Sequence, residues 1–302
     1  INLGARCGLD DVETLVRLDN LCSRLGLDST STGASVAFAM DLAQRGILTA
    51  AHGGDLRLGW GDGVAMEALI RAIAAREGLG AVRAEGVRRA AETIGGGSQR
   101  WAPHVKGLEL TAYDPRGIMG SALGYMVSSR GGDYNNVYAS LEHRWTAGQA
   151  RDAFGTAKAL DRQSYAGKGR LIHRAVLVNI IVDSLGICKV PVLSMIGTFD
   201  LMPEAYLTAA LTGWAVDAEG LFTIGTNVAH LERQINHQQG LAPDADDLPA
   251  MFFREGPHRL DRAKFKQMVQ EFYTAMGWDA TGRPTQTAIE EAEVFLPELT
   301  DA

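Results

Sequence analysis

The feature that most constrains this chain is residues 171–185, LIHRAVLVNIIVDSL, which would be apolar on nearly every side of a 3.6-residue helix. Such a helix has no face suited to water and must be enclosed by other elements. The enclosing elements are expected to be helices, because every other strongly periodic segment repeats at the helical spacing. Asp10 or Asp11 can cap a helix that turns Val12, Leu15, Val16, Leu18, Cys22 and Leu25 inward and stops at Gly26. Further helices are read at 34–44, 64–76, 79–94, 146–159, 204–211, 218–238, 262–276 and 285–294. In the segment 79–94, Arg83, Arg88 and Arg89 read as a solvated basic face. The expected fold class is therefore all-α (mainly α), in two packed helical domains, 1–103 and 104–302. The 302 residues, 46% of them hydrophobic, supply core enough for one large or two ordinary domains.

Charge and cysteine usage narrow the function classes. The net charge of −7, with Lys and Arg scattered, argues against a nucleic-acid surface, so small molecules or protein partners are expected. No run of about 18 apolar residues occurs, so no membrane span is expected. The opening residues lack a basic stretch followed by an apolar one, so no signal peptide is expected, and the chain reads as part of a longer protein. Cys7, Cys22 and Cys188 cannot form a disulfide framework, which fits a reducing, cytoplasmic setting. On residue type alone, Cys22 and Cys188 are small core residues.

Three stretches stand out as candidate sites. Residues 104–138 mix glycines with Asp114, Arg116, Arg130 and Asp133, mostly without regular period, as a cofactor cradle would. Residues 26–33, GLDSTSTG, place Asp28 and four hydroxyls before a helix, where they either cap it or meet a ligand; capping is the commoner use. Residues 183–188, DSLGIC, close the apolar helix, and Asp183 is expected to be buried there and to need a partner. Gly186-Ile187-Cys188 repeats the form of Gly26-Leu27-Asp28, so two related helix ends could hold two halves of one ligand. His230 and His237 share a helix face but lack a third ligand, so both read as structural. Glu255 to His258 has E-x-x-H letters, but Pro257 rules out a helical metal motif. His52 reads as a solvated loop residue.

Taken together, 26–33, the run HVKGLELTAYDPRG from His104 to Gly117, and 183–188 resemble the C-terminal half, domains 2 and 3, of the tungsten-containing aldehyde ferredoxin oxidoreductase family. The resemblance runs over nearly the whole chain in the same order. It implies two helical domains around a tungsten ion held by two pterins of the molybdopterin type, beside a [4Fe–4S] cluster, with magnesium as an accompanying ion. The family motif D-x-x-G-L-[D/C] occurs twice and contacts the pterins. Carried over residue by residue, the resemblance implies Asp28, Asp183, Gly186, Ile187, Arg116 and Arg130 as cofactor-binding and Cys188 as a cluster ligand. It places Asp133 and Tyr134 at the reacting centre.

Departures from the pattern are equally informative. The first motif copy has Ser23 where its leading Asp would stand. The C-x-x-C-x-x-x-C run that supplies three cluster thiolates is absent, as is the family's N-terminal sheet domain, and one cysteine cannot hold a cubane that takes four. The chain alone is expected to be inactive. Tyr134 falls about where aldehyde-oxidising members carry histidine. A tyrosine near pKa 10 orients a substrate more readily than it shuttles a proton, and Asp133 either supplies a base or pairs with Arg130. The implied activity is aldehyde to carboxylate, with electrons leaving through the cluster to ferredoxin or another electron-transfer subunit. The substrate would be a small aldehyde or acyl compound and the assembly a homo-oligomer or larger complex. Two alternatives stand beside it: a class II benzoyl-CoA reductase-like tungsten subunit, and a helical scaffold that has lost the cofactor.

Overall fold

The structure is a computed structural model that describes residues 1–49, 52, 58–133, 135–137, 141–191, 199–242, 244–254 and 258–293. The described residues are overwhelmingly helical. In order, the elements are α1 (Val12–Arg24), α2 (Ser29–Gln44), α3 (Gly63–Ala75), α4 (Leu79–Arg83), α5 (Gly86–Ile94), β1 (His104–Val105) and β2 (Leu108–Glu109). There follow α6 (Met119–Val127), α7 (Leu141–Arg144), α8 (Ala147–Phe154), α9 (Lys168–Ser184), α10 (Met202–Thr212), α11 (Ala218–Gln238), α12 (Met251–Arg254), α13 (Arg262–Ala275) and α14 (Gln286–Glu293). The antiparallel pair β1–β2 makes a two-stranded hairpin, with Val105 opposite Leu108. None of the described helices is long and apolar enough to cross a membrane.

Two compact units form. The first comprises Ile1–Asp114, Arg130–Asp133 and Asp247–Arg259; the second comprises Pro115–Ser129, Tyr134–Asp246 and Leu260–Ala302. The first unit thus runs past residue 103, where sequence places the break, because the hairpin is tied to the helices before it. The Glu109 carboxylate accepts a hydrogen bond from the Val87 amide at 2.8 Å and so caps α5, whose own N-cap, Glu85, makes no side-chain capping bond. Gly131 and Gly132 seat on the same hairpin: a Cβ at Gly131 would stand 2.2 Å from the Val105 carbonyl oxygen, and one at Gly132 2.5 Å from that of Leu108.

Within the first unit, α1, α2 and α3 close over Leu18, Cys22, Val36, Met40, Met66, Leu69 and Ile70. Cys7 and Cys22 are free, buried thiols, and burial pushes Cys7 up to about 12. The single helix read over 79–94 is broken in two, with Gly86 at φ 80° after the break. That break corrects the reading of Arg83. It lies in the core, its guanidinium 4.8 Å from the Phe38 ring centroid, and burial lowers its pKa to about 10.

In the second unit α9 is the axis. Leu171, Ile172, Ala175, Leu177, Val178, Ile181 and Val182 are buried, as an all-round apolar helix requires, with α6, α11 and α13 around them. Gly169 lets α13 approach, since a Cβ there would fall 2.5 Å from that of Glu271. Helix α6 is a correction to the irregular reading of 104–138. Its glycines blur the apolar period, yet Gly124 is needed because a Cβ would meet Val137 at 2.5 Å. A buried ion pair, unseen in the sequence, joins Lys168 to Glu142 at 2.5 Å. Glu142 also accepts from the Gly120 amide and Lys168 donates to the Ala159 carbonyl. Burial raises the Glu142 pKa and lowers that of Lys168. The structural reading of the histidines agrees with their contacts. His230 Nε2 lies 2.9 Å from the Met276 carbonyl and His237 Nε2 3.5 Å from that of Gly282.

His173, on α9, provides a pH test. Burial, with Arg174 and His230 nearby, depresses its pKa from 6.5 to about 4. The unfolded chain therefore binds this proton more readily than the folded one. The associated stability is complete above pH 6.5 and is lost as pH falls towards 4. Denaturant unfolding at pH 7.5 and pH 4.5 is expected to show a drop that shrinks by roughly 2 kcal/mol in His173→Gln. An identical drop in both proteins would refute it.

Candidate cofactor site

The candidate site begins with two helix ends that are the same object built twice. At the end of α1, the Gly26 amide donates to the Ser23 carbonyl at 3.3 Å and the Leu27 amide to that of Cys22 at 2.9 Å. At the end of α9, the Gly186 amide donates to the Asp183 carbonyl at 3.1 Å and the Ile187 amide to that of Val182 at 3.0 Å. The glycines share the left-handed conformation, with φ of 69° and 67°. This crossed pair satisfies carbonyls that a helix end leaves open, and it requires a residue at ease with positive φ. Burial matches position by position from Leu21 to Asp28 and from Ile181 to Cys188: two buried residues, four exposed, one half-buried, one exposed.

Position decides what each end offers. Nothing lies within 4 Å of where a Cβ would stand at Gly26 or Gly186, so backbone is bare on that side and a flat group can approach it. Asp28 N-caps α2, its carboxylate accepting from the Ser31 amide at 2.6 Å. Asp183 is not buried, contrary to the sequence reading. It sits in the last, solvent-facing turn of α9, 53% exposed, and pairs with Lys189 at 2.7 Å. Cys188 is an exposed free thiol.

The other candidates divide between the units. In the first unit, Arg130 and Asp133 form an ion pair at 3.0 Å, with Asp133 nearly buried, so pairing is the arrangement adopted. In the second, Arg116 is half-buried in a turn whose carbonyls at Arg116 and Gly117 accept from the Gln163 amide group at 3.3 and 2.9 Å. Tyr134, Glu255 and Pro257 lie outside the described residues.

The residues fit the implied groups unequally. Two bare glycine ends, each with an exposed acceptor or thiol beside it, suit the two pterins. A cubane is not satisfied within the chain: Cys7 and Cys22 are buried in the core, leaving Cys188 as the one exposed cysteine. Among the described residues no three His, Cys, Asp or Glu gather as a metal site.

Comparison with known proteins decides the family. The model for aldehyde ferredoxin oxidoreductase, domains 2 and 3, matches residues 1–294. The chain belongs to this family. The tungsten-containing aldehyde ferredoxin oxidoreductase of Pyrococcus furiosus is 32% identical over 299 residues, covering 96% of this chain and 46% of that protein. The same organism's aliphatic sulfonate oxidoreductase, WOR-like subunit, is 29% identical over 309 residues and is covered to 44%. The chain thus spans about half the length of the curated relatives it matches. Among solved structures, the active site complex BamBC of benzoyl coenzyme A reductase with 1,5-dienoyl-CoA shares the fold. The TM-score is 0.71 at 19% identity, covering 94% of this chain and 46% of that one.

The helix ends generate a test of backbone against side chain. Gly26→Ala and Gly186→Ala should each cost about 1 kcal/mol or slightly more, from left-handed strain alone, since no neighbour blocks the methyl. Asp183→Ala should change stability by less than about 1 kcal/mol, as expected of a solvent-exposed pair. Thermal melts of the three variants check this, and an Asp183→Ala loss larger than that of Gly186→Ala would contradict the assignment.

Proposed function

We propose that this chain is the pterin- and cluster-contacting C-terminal part of a tungstopterin oxidoreductase, cytoplasmic, that converts a small aldehyde to its carboxylate. The observation that supports it most is the duplicated helix end, identical in hydrogen bonding and burial, with Asp28 after one glycine and Cys188 after the other. When bound, the tungstopterin supplies two-electron chemistry and the cluster an exit for single electrons to ferredoxin or another electron-transfer subunit. The chain's own part is to bind and orient. Asp28 and Asp183 would accept N–H bonds from a heterocycle edge, and Gly186, followed by Ile187, would present bare backbone to it. Arg116 and Arg130 lie in the loops that serve phosphates, with magnesium as an accompanying ion, and the Cys188 thiolate gives one cluster ligand.

Tyr134 in place of histidine supports a second reading, in which the reaction resembles that of benzoyl-CoA reductase-type tungsten subunits. A phenol hydroxyl donates a hydrogen bond to a carbonyl without moving a proton near pH 7. Asp133 moves a proton only if Arg130 releases it.

Metal analysis of the full-length protein, purified without oxygen, tests the class. Tungsten and iron in stoichiometric amounts are expected, and neither metal would leave a cofactor-free scaffold. Cys188→Ser should abolish or alter the reduced-cluster EPR signal, and an unchanged signal removes Cys188 as a ligand. Turnover of simple aldehydes, compared with an aromatic thioester, separates the two reactions.

A further inference from the structure

In the first unit a cleft of about 130 Å³ is lined by Arg100, Trp101, Ala250, Met251 and Arg254. Trp101, Ala250 and Met251 are half-buried and contribute apolar surface, while Arg100 and Arg254 are exposed. A third cation steadies the ring: the Arg45 guanidinium lies 3.4 Å from the Trp101 ring centroid and pairs with Asp41 at 2.9 Å. Arg100 and Arg254 have no such carboxylate, since neither makes a hydrogen bond or an ion pair among the described residues. The chain has seven more acidic than basic residues, yet two of its cations stand on one cleft with no acid of the described residues against them. Their combined field is left for an anion from outside.

We propose that this cleft binds a single-ring aromatic carboxylate, its ring against Trp101 and Met251 and its carboxylate held by Arg100 and Arg254. A guanidinium is a planar fork of donors that matches the two oxygens of a carboxylate. Exposed arginine side chains turn freely, so both forks can meet the same group. The apolar surface selects a ring over a bare oxyanion such as sulfate, which gains nothing from Trp101 or Met251. Volume sets the size, since a cavity of roughly 150 Å³ holds benzene, and this cleft is close to that and open to solvent. Arg45 is the C-cap of α2 and Asp28 its N-cap, about 25 Å apart along the axis, so the cleft stands apart from the helix end at Gly26. It does not rest on the tungstopterin reading.

Benzoate titrated by calorimetry into the full-length protein tests the assignment, with benzyl alcohol and sulfate as comparisons. Benzoate is expected to bind saturably, and benzyl alcohol, the same ring without the charge, about tenfold more weakly. Arg100→Gln and Arg254→Gln should each weaken benzoate about tenfold. Both should leave benzyl alcohol binding and the thermal melt unchanged, because the side chains are exposed. Protein purified without tungsten should bind benzoate equally well. No saturable binding would overturn the proposal, as would equal affinity for benzyl alcohol or wild-type affinity in both variants. Sulfate bound as tightly as benzoate would leave an adventitious ion only and overturn it too. Benzoate binding that disappears with tungsten would place the probe at the metal centre, overturning this assignment and sparing the oxidoreductase reading. Binding retained in a protein that never takes up tungsten would do the reverse.

Discussion

Two carbonyl oxygens on a six-residue hairpin fix much of the first unit. Those of Val105 and Leu108 stand so close to Gly131 and Gly132 that no side chain of any kind can occupy either position. The hairpin is held in turn by a tight turn in which Lys106 and Gly107 both have positive φ, the conformation that matches the twist of a two-residue connection. On its other side Glu109 supplies the cap that α5 lacks. One small element thus joins α5, at Val87, to the segment of Gly131 and Gly132, beside which Arg130 and Asp133 pair. A Cβ at Gly86 would also fall 2.7 Å from the Glu109 carboxylate, so the helix start and its borrowed cap are fitted to each other.

The second unit solves a different problem. An all-round apolar helix buries well but gives little orientation, because greasy surfaces of similar shape pack in several ways. Orientation comes from polar groups placed inside. Lys168 and Glu142 tie the start of α9 to α7, and Gly169 donates to the Glu271 carboxylate of α13 at 3.0 Å. Arg233, Asp246 and the Tyr273 hydroxyl link α11 to α13, with Arg233 also donating to the Gly282 carbonyl at 2.6 Å. The pairs Lys168–Glu142 and Arg233–Asp246 lie in a dry setting, so removal of one partner strands the other.

The helices were legible because their apolar spacing and caps are local: Asp11, Asp28, Asp62 and Asp261 each accept amide bonds at a helix start, as their positions in the sequence suggest. What escaped was non-local. The break at 84–85 is followed by an amide, that of Val87, which bonds a carboxylate 22 residues downstream, and Arg83 lies in the core rather than on the expected wet face. Helix α6 was hidden because Gly120 and Gly124, the second demanded by Val137 close beside it, dilute its hydrophobic period. The site was half legible: the repeated Gly-aliphatic pair correctly marked two related helix ends. The exposure of Asp183 was not legible, since a run of apolar letters does not reveal at which turn a helix emerges from its shell. The competition between Asp133 as base and as partner of Arg130 could be posed from the letters, and only coordinates resolve it.

The duplicated helix end separates two kinds of selection. Its hydrogen bonds run entirely through backbone, so the fold asks for glycine and is indifferent to what precedes it by three positions. Ser23 and Asp183 occupy that same exposed place in otherwise equal surroundings. Drift there carries almost no folding penalty, because the ion pair that Asp183 makes with Lys189 lies at the surface. In a set of related chains, the glycine would therefore be held by the fold itself, while the residue three before it would be free to vary unless something other than folding held it.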